Sequence, residues 1–396
     1  MNSQAIFDLY AKYVVPTYAP AIALARGEGC WVWDSEGKRY LDFAGGIAVS
    51  GLGHAHPKLV SAIAEQAGRL IHTSNLFANE WQGRLAEKLV AQLGPGKCFF
   101  ANSGAEANEA LFKLARKWGA EAGAKGGTPR YEIISMLNSF HGRTLAAVSA
   151  TGQEKIRKGF EPLPEGFKQV PFNDLEAVKA ATGEKTAAVL IEVIQGEGGI
   201  KPASKEFLVG LRRWCDEKGL LLLADEIQTG CGRTGRCASY QDYGVTMDGV
   251  SLAKSLGGGF PVSAAWIREP FADVLTVGSH ATTFGGSPLA MRAACAVLET
   301  IESERLMENA AEIGRYLLNK LQQLARAKSD LKEVRGKGLL IGLQLGGDNK
   351  TWVAKFREAG LLTAPAGTDV VRLLPPLICG REEADEGVAR IEKALS

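Results

Sequence analysis

The sequence predicts an α/β fold: a large domain with a mostly parallel sheet flanked by helices, plus a small α+β domain built from both chain ends. Three observations carry this prediction. Short, continuously apolar runs recur through the middle of the chain; helical patterns stand between several of them; and both flanks read differently from the middle. Helices covering both faces of a parallel sheet leave its strands no solvated side, so such strands lose the alternation of half-buried ones.

Taken in order, "KCFFANSG" (97–104) reads as a first buried strand, followed by the helical "AEANEALFKLARKWGA". "YEIISML" (131–137) is a second and "TAAVLIEVI" (186–194) a third. After it, "EFLVGLRRWCDEKG" has apolar residues at helical spacing, with Gly219 as the stop signal. "LLLLAD" (220–225), "GVSLAK" (249–254) and "PVSAAWI" (261–267) complete the set. Ahead of these, residues 26–43 read as a hairpin, "CWVW" and "RYLDF" around a turn containing Gly37. From about residue 300 a long charged helix, "NAAEIGRYLLNKLQQLARAK", precedes "VRGKGLLIGLQL", "FREAGLLTAPAG" and "DVVRLLPPL". The expected divisions are 1–60 for the N-terminal part of the small domain, 61–295 for the large domain and 296–396 for the C-terminal part.

Composition removes several function classes. The 46 Lys and Arg against 44 Asp and Glu leave a net charge of +2, which argues for neither nucleic acid nor an anionic membrane as partner. No window reaches 18 apolar residues, and "MNSQAIFDLYAKYVV" carries Asp8 and no apolar core of a signal peptide. Seven scattered cysteines form no CxxC pair and read as reduced thiols in a cytoplasmic protein. His54 and His56 in "GLGHAHP" are two metal-type ligands without a third, so a helix-start role is favoured and no metal is expected. "AKSLGGG" has its lysine before the glycines and is not a phosphate loop of the GxxxxGK type.

Ligands of parallel sheets gather at the carboxyl ends of the strands. The run "LLLLADEIQTG" delivers Asp225 and Glu226 to such an end. An ionised carboxylate buried without a partner costs several kcal/mol or shifts its pKa, so Asp225 needs a positive partner unless it is a solvated strand tip. The first strand ends in "NSGAEANE", where Asn102 or Ser103 can cap a helix, Gly104 admits close approach and free N–H groups suit an anion. An ordinary helix cap is the plainer reading of that stretch alone. "NSFHGRT" brings Phe140, His141 and Arg143 to a second tip; "IEVIQGEGG" brings Gln195 and Glu197; and "SLAKSLGGGFP" brings Lys254. Together these are the fittings of a pyridoxal 5'-phosphate (PLP) site. The cradle takes the phosphate and Phe140 stacks on the ring. Asp225 keeps the ring nitrogen protonated, so that the ring serves as an electron sink, and Lys254 forms the Schiff base. Glu226 reads as structural.

With "NSGAEANEA", "FHGRT", "IQGEGG", "DEIQTGCGRTG", "AKSLGGGFPV" and "TTFGGSPLA" in order, the chain resembles the class III aminotransferases of PLP fold type I over nearly its whole length. Within that class it is most similar to the acetylornithine aminotransferases of bacterial arginine biosynthesis, on residues 14–49, "GLGHAHP", "SNLFANE" and "VRGKGLLIG". The resemblance implies that Ser103, Gly104 and Ala105 hold the phosphate, that Ile227 covers the ring face opposite Phe140, and that Gln228 bonds the ring 3-oxygen. It makes Lys254 the proton shuttle as well. Thr282 and Thr283 join the cofactor site, Thr283 reaching the phosphate of a neighbouring subunit, which implies a homodimer with shared active sites. Arg143 would bind a substrate carboxylate, and Glu197 with Arg372 would form a switchable pair. The implied reaction is N2-acetylornithine with 2-oxoglutarate giving N-acetylglutamate 5-semialdehyde and glutamate. Succinylornithine, N-succinyl-diaminopimelate, or ornithine and other omega-amino acids are the alternative donors. The switch has a physical reason: the acylated donor carries no carboxylate beside its reacting amine, whereas 2-oxoglutarate carries one beside its reacting carbon. Ile227, Phe284 and Ser287 stand where Val, Tyr and Asn are common in the family, which bears on substrate detail rather than on chemistry.

Overall fold

The computed structural model describes residues 1–124 and 127–396. Its centre is a seven-stranded sheet of β1 (Gly96–Ala101), β2 (Glu132–Met136), β3 (Phe167–Val170), β4 (Thr186–Ile191), β5 (Leu221–Asp225), β6 (Gly249–Leu252) and β7 (Ser263–Arg268). The spatial order is β1-β7-β6-β5-β4-β2-β3. Pairings from β6 through β5, β4 and β2 to β3 are parallel, and β7 runs antiparallel to both β6 and β1. All six runs expected to be strands are strands. The reversal of β7 follows from its connection: residues 253–262 are too few for the crossover a parallel neighbour needs. The sequence reading missed β3, a short edge strand, "FKQV", without a continuous apolar run.

Alternation along the strands sends side chains to two cores. Leu221, Leu223, Ala188 and Leu190 pack with Leu111 and Leu114 of the helix Gly104–Ala124 on one face. Leu222, Ala224, Val189 and Ile191 pack on the other. Continuing the alternation puts Asp225 on the face of the helix Gly104–Ala124 and Glu226 on the opposite one. The helix expected after the third strand is Lys205–Lys218, started by the Ser204 side chain, which accepts from Phe207 N, and ended by Gly219 at φ +58°.

The flanks meet. Trp31–Asp34 and Arg39–Asp42 form the expected hairpin, and the C-terminal strand Leu361–Leu362 pairs in parallel with Leu41 and Asp42, so both chain ends share one sheet. A second four-stranded sheet joins Leu331–Lys337, Leu340–Leu345, Val370–Leu373 and Ala364–Ala366, and the helix Leu306–Ala327 packs on it. The expected divisions after residues 60 and 295 fall inside the helices Pro57–Ala67 and Pro288–Ser303. Among the described residues no helix is long and apolar enough to cross a membrane.

Candidate active site

At the carboxyl ends of the parallel strands lies a cavity of about 350 Å³, lined by Ser103, Gly104, Ala105, Phe140, Glu197, Asp225, Ile227, Gln228 and Lys254 among others. That volume lies within the range of small-molecule and cofactor sites. The strand tips singled out in the sequence therefore converge on one space.

Asp225 is 4% exposed, so it is not a solvated strand tip. Its Oδ2 accepts from Asn108 Nδ2 and from His141 Nδ1, each at 2.8 Å, and its Oδ1 accepts from Ile227 N at 3.1 Å. Asn108 is aimed in turn: Ser251 Oγ donates to its Oδ1 at 2.7 Å, and its Nδ2 also donates to His141 O at 2.8 Å. The carboxylate is thus fixed from three sides and still lines the cavity. His141 Nε2 is buried with no partner. Glu226 faces away, taking Thr229 Oγ1, Ser239 Oγ and Tyr240 N as donors, while burial raises its pKa. Its structural reading agrees with this geometry.

The helix Gly104–Ala124 starts with a reciprocal cap. Ser103 Oγ donates to Glu106 Oε2 at 2.8 Å, and Glu106 N donates back to Ser103 Oγ at 3.3 Å. Of the two cap candidates, Ser103 therefore caps the first turn, and Asn102 N donates to Glu106 Oε2 at 3.1 Å. Close approach makes two glycines necessary here. A Cβ on Gly104 would lie 2.8 Å from Ile227 Cδ1, and one on Gly142, at φ +129°, would lie 2.7 Å from Ala105 Cβ. The helix start is left as bare main chain bordering the cavity, with the first N–H groups free of intrahelical partners.

Lys254 follows β6 in a short 3-10 turn at φ +44°, a left-handed conformation that costs a non-glycine residue about 1–3 kcal/mol. Ser255 Oγ pins the turn by donating to Ala48 O at 2.7 Å. Residues 45–48 are themselves all left-handed, and Asp42 Oδ1 accepts from Ala44 N and Gly45 N at their start. Strain is thus concentrated beside the cavity and held from several sides. Burial, with Arg372 adding, brings the Lys254 amine down to about 8, against the opposing pull of Glu197, Asp225 and Glu192.

Arg372, on the strand Val370–Leu373, is 2% exposed and pairs with Glu197, Nη1 to Oε1, at 2.7 Å. It does not depend on that pair for its position. Its Nη1 also donates to Gln228 Oε1 at 3.0 Å, and its Nε and Nη2 donate to Pro365 O at 3.1 and 2.8 Å.

Four expected residues lie outside the cavity lining: Arg372, which reaches it through its partners Glu197 and Gln228, and Arg143, Thr282 and Thr283. Arg143 is exposed, its guanidinium carbon 5.7 Å from the Phe140 ring centre. Thr282 and Thr283 line an adjoining hollow with Lys113 and His280, and Thr282 Oγ1 accepts from Asn102 Nδ2 at 3.3 Å. His54 Nε2 hydrogen-bonds Asp42 Oδ2 at 2.8 Å, and His56 immediately precedes the helix Pro57–Ala67. Among the described residues no group of three or more His, Cys, Asp or Glu could hold a metal ion.

The sequence reading missed Asn108, His141 as a partner of Asp225, and Glu192. Glu192 lines the cavity one residue past β4 and is pushed up to about 7, chiefly by burial, with Asp225 adding and His141 opposing. The signal was weaker than at Asp225, since Glu192 interrupts the apolar run 186–194 instead of ending it.

The donor set fits PLP: a bare helix start for a phosphate, an aromatic face, a fixed buried carboxylate awaiting a cation, and an amine partly neutral near pH 7. Comparison with known proteins agrees. The family described as Aminotransferase class-III matches residues 13–395. The acetylornithine aminotransferase of Caldanaerobacter subterraneus subsp. tengcongensis is 49% identical over 97% of this chain and 98% of its own length. The succinylornithine transaminase/acetylornithine aminotransferase of Pseudomonas aeruginosa is 47% identical over 98% and 96%. The crystal structure of ornithine aminotransferase from Toxoplasma gondii ME49 superposes with a TM-score of 0.95 at 34% identity, covering 100% of this chain and 95% of that one. The chain belongs to the class-III aminotransferases and is a PLP-dependent enzyme of that family.

Proposed function

We propose that the enzyme moves the distal amino group of an N-acylated diamino acid, N2-acetylornithine foremost, to 2-oxoglutarate, giving N-acetylglutamate 5-semialdehyde and glutamate. The observation that carries this reading is the Glu197–Arg372 pair beside a separately anchored Arg372. With Glu197 in place the guanidinium is neutralised, which suits a donor whose reacting end bears no carboxylate. With Glu197 turned away, Arg372 keeps three hydrogen bonds and offers its charge to the carboxylate of glutamate or 2-oxoglutarate. The names of the relatives, which include acetylated and succinylated donors, support the acylated class.

PLP, when bound, supplies the electron sink on which amino-group transfer depends. The protein does the rest. Ser103, Gly104 and Ala105 hold the phosphate, and Phe140 and Ile227 cover the two ring faces. Gln228 has its Oε1 taken by Arg372, which would leave its Nε2 to bond the ring 3-oxygen. Asp225 holds the proton on the ring nitrogen. Lys254 would bind the cofactor covalently and, once released, would take the proton from the substrate carbon that bears the reacting amine. Arg143, at the exposed edge beside Phe140, receives the far carboxylate of the acylated donor.

The reading includes a homodimer in which Thr283, with Thr282 behind it, reaches the partner's phosphate. Support comes from Leu76, Phe77 and Phe284, all strongly exposed, and from the helix Ser3–Tyr13, which buries no residue. Seven free cysteines, six of them buried, suit the reducing cytoplasm. Specificity constants measured side by side for acetylornithine, succinylornithine and ornithine with 2-oxoglutarate test the substrate. Acetylornithine is expected to lead, and a clear lead for ornithine would overturn the acylated reading.

A further inference from the structure

Glu192 is a carboxyl group kept at the cavity wall, 6% exposed, where burial of a charge is costly. Its two oxygens are directed at two different loops. Phe140 N donates to Oε2 at 2.9 Å, and Gly196 N donates to Oε1 at 3.2 Å. Phe140 lies in the loop after β2, and Gly196 immediately precedes Glu197.

We propose that Glu192 is a positioning residue that ties the Phe140 loop to the Glu197 loop, so that one carboxyl group sets both cofactor stacking and the choice between substrates. The proposal rests on the roles given above to Phe140 and Glu197. Packing extends the tie to a second partner of Arg372. Gly196 lies so close to Gln228 that a Cβ there would stand 2.5 Å from Gln228 Oε1, the atom that accepts from Arg372 Nη1. A displacement of the main chain at residue 196 therefore reaches Glu197 along the chain and Gln228 through contact.

The loops have other fastenings, so loss of this one need not unfold them. Gln195 Nε2 donates to Leu137 O at 2.9 Å, and Gly198 packs against Asn138 O, where a Cβ would lie at 2.7 Å. Glu192 is the tie at the cavity wall; Gln195 is not among the residues lining it.

The test is Glu192→Gln in the PLP-loaded enzyme, with Glu197→Ala as reference. The amide keeps one acceptor oxygen and turns its NH₂ toward the other main-chain N–H, so one of the two bonds is lost. PLP affinity, the visible circular dichroism of bound PLP, and single-turnover rates with glutamate and with acetylornithine are read together with the thermal midpoint. The expected result is about tenfold weaker PLP binding with altered dichroism, and about a tenfold shift in the glutamate-to-acetylornithine rate ratio. A merely structural residue would lower the thermal midpoint and slow both half-reactions equally, leaving the ratio alone; that result overturns the proposal. Movement of only one of the two readouts overturns it as well, because the link is the claim. If Glu197→Ala also leaves the ratio unmoved, the switch reading itself has failed and this proposal falls with it. If Glu197→Ala moves the ratio and Glu192→Gln does not, only the proposal falls.

Discussion

Replacing Glu197 with alanine removes the carboxylate paired with Arg372 and leaves the guanidinium where it is, because Pro365 O accepts twice from it and Gln228 Oε1 once. The variant therefore carries an unneutralised cation through both half-reactions. Glutamate and 2-oxoglutarate place a carboxylate at that position and gain. Acetylornithine places none there and must bury its reacting end beside an uncompensated charge. A hydrogen bond to a charged group contributes about 1.5–3 kcal/mol, and about 1.4 kcal/mol is tenfold, so the preference between the two donors should move by roughly ten- to a hundredfold. A second effect has a fixed sign: Glu197 is one of the groups raising the Lys254 amine, so its loss lowers that amine further. The assay is single-turnover conversion of the loaded enzyme by each donor separately, followed by absorbance. Glu197→Ala should speed the glutamate half-reaction relative to the acetylornithine one. Equal slowing of both would refute the switch and reduce Glu197 to a loop fastening.

Asp225→Asn removes the charge facing the ring nitrogen while keeping the side-chain shape. Breaking one member of a buried pair costs about 3–5 kcal/mol, so PLP affinity and turnover should both fall by two orders of magnitude or more; wild-type values for both would exclude the ring-nitrogen role. Lys254 must be neutral to attack the cofactor's aldehyde, and its folded pKa of about 8 lies below the ordinary 10.5. Capture of PLP by the cofactor-free enzyme should accordingly rise tenfold per pH unit up to about pH 8 and then level off, whereas a rise continuing to pH 10 would contradict the buried amine. The same shift destabilises the cofactor-free fold as pH falls from 10.5 to about 8, where the unfolded lysine takes up a proton that the folded one refuses, and adds nothing further below. Diluting the enzyme should release PLP as dimers separate, by mass action, and a fully loaded, fully active monomer by light scattering would remove Thr283 from the site.

The strand tips were legible because buried parallel strands read as unbroken apolar runs, and a carboxylate ending such a run stands out. Asp225, Lys254 and the Asn102–Gly104 turn were singled out that way, and Ala105 only through the resemblance. The edge strand Phe167–Val170 gave no such signal, and the direction of β7 is set by the length of its connection rather than by its composition. The meeting of Glu197 with Arg372 joins distant parts of the chain and was legible only through resemblance to a family. Asn108 became visible once the alternation in β5 assigned Asp225 to the face of the helix Gly104–Ala124. His141 and Glu192 went unassigned because a polar residue beside an aromatic or an apolar run has several ordinary explanations until its partners are seen.

The whole site depends on Lys254 being the residue that holds the cofactor. Borohydride reduction of the PLP-loaded enzyme fixes the cofactor on whichever lysine carries it, and peptide mass mapping then identifies that residue. The label should appear on Lys254 alone, at about one per chain, and should be absent from a Lys254→Ala variant that still binds PLP without a covalent link. A label on another lysine, or normal turnover in Lys254→Ala, would contradict the site as it is described.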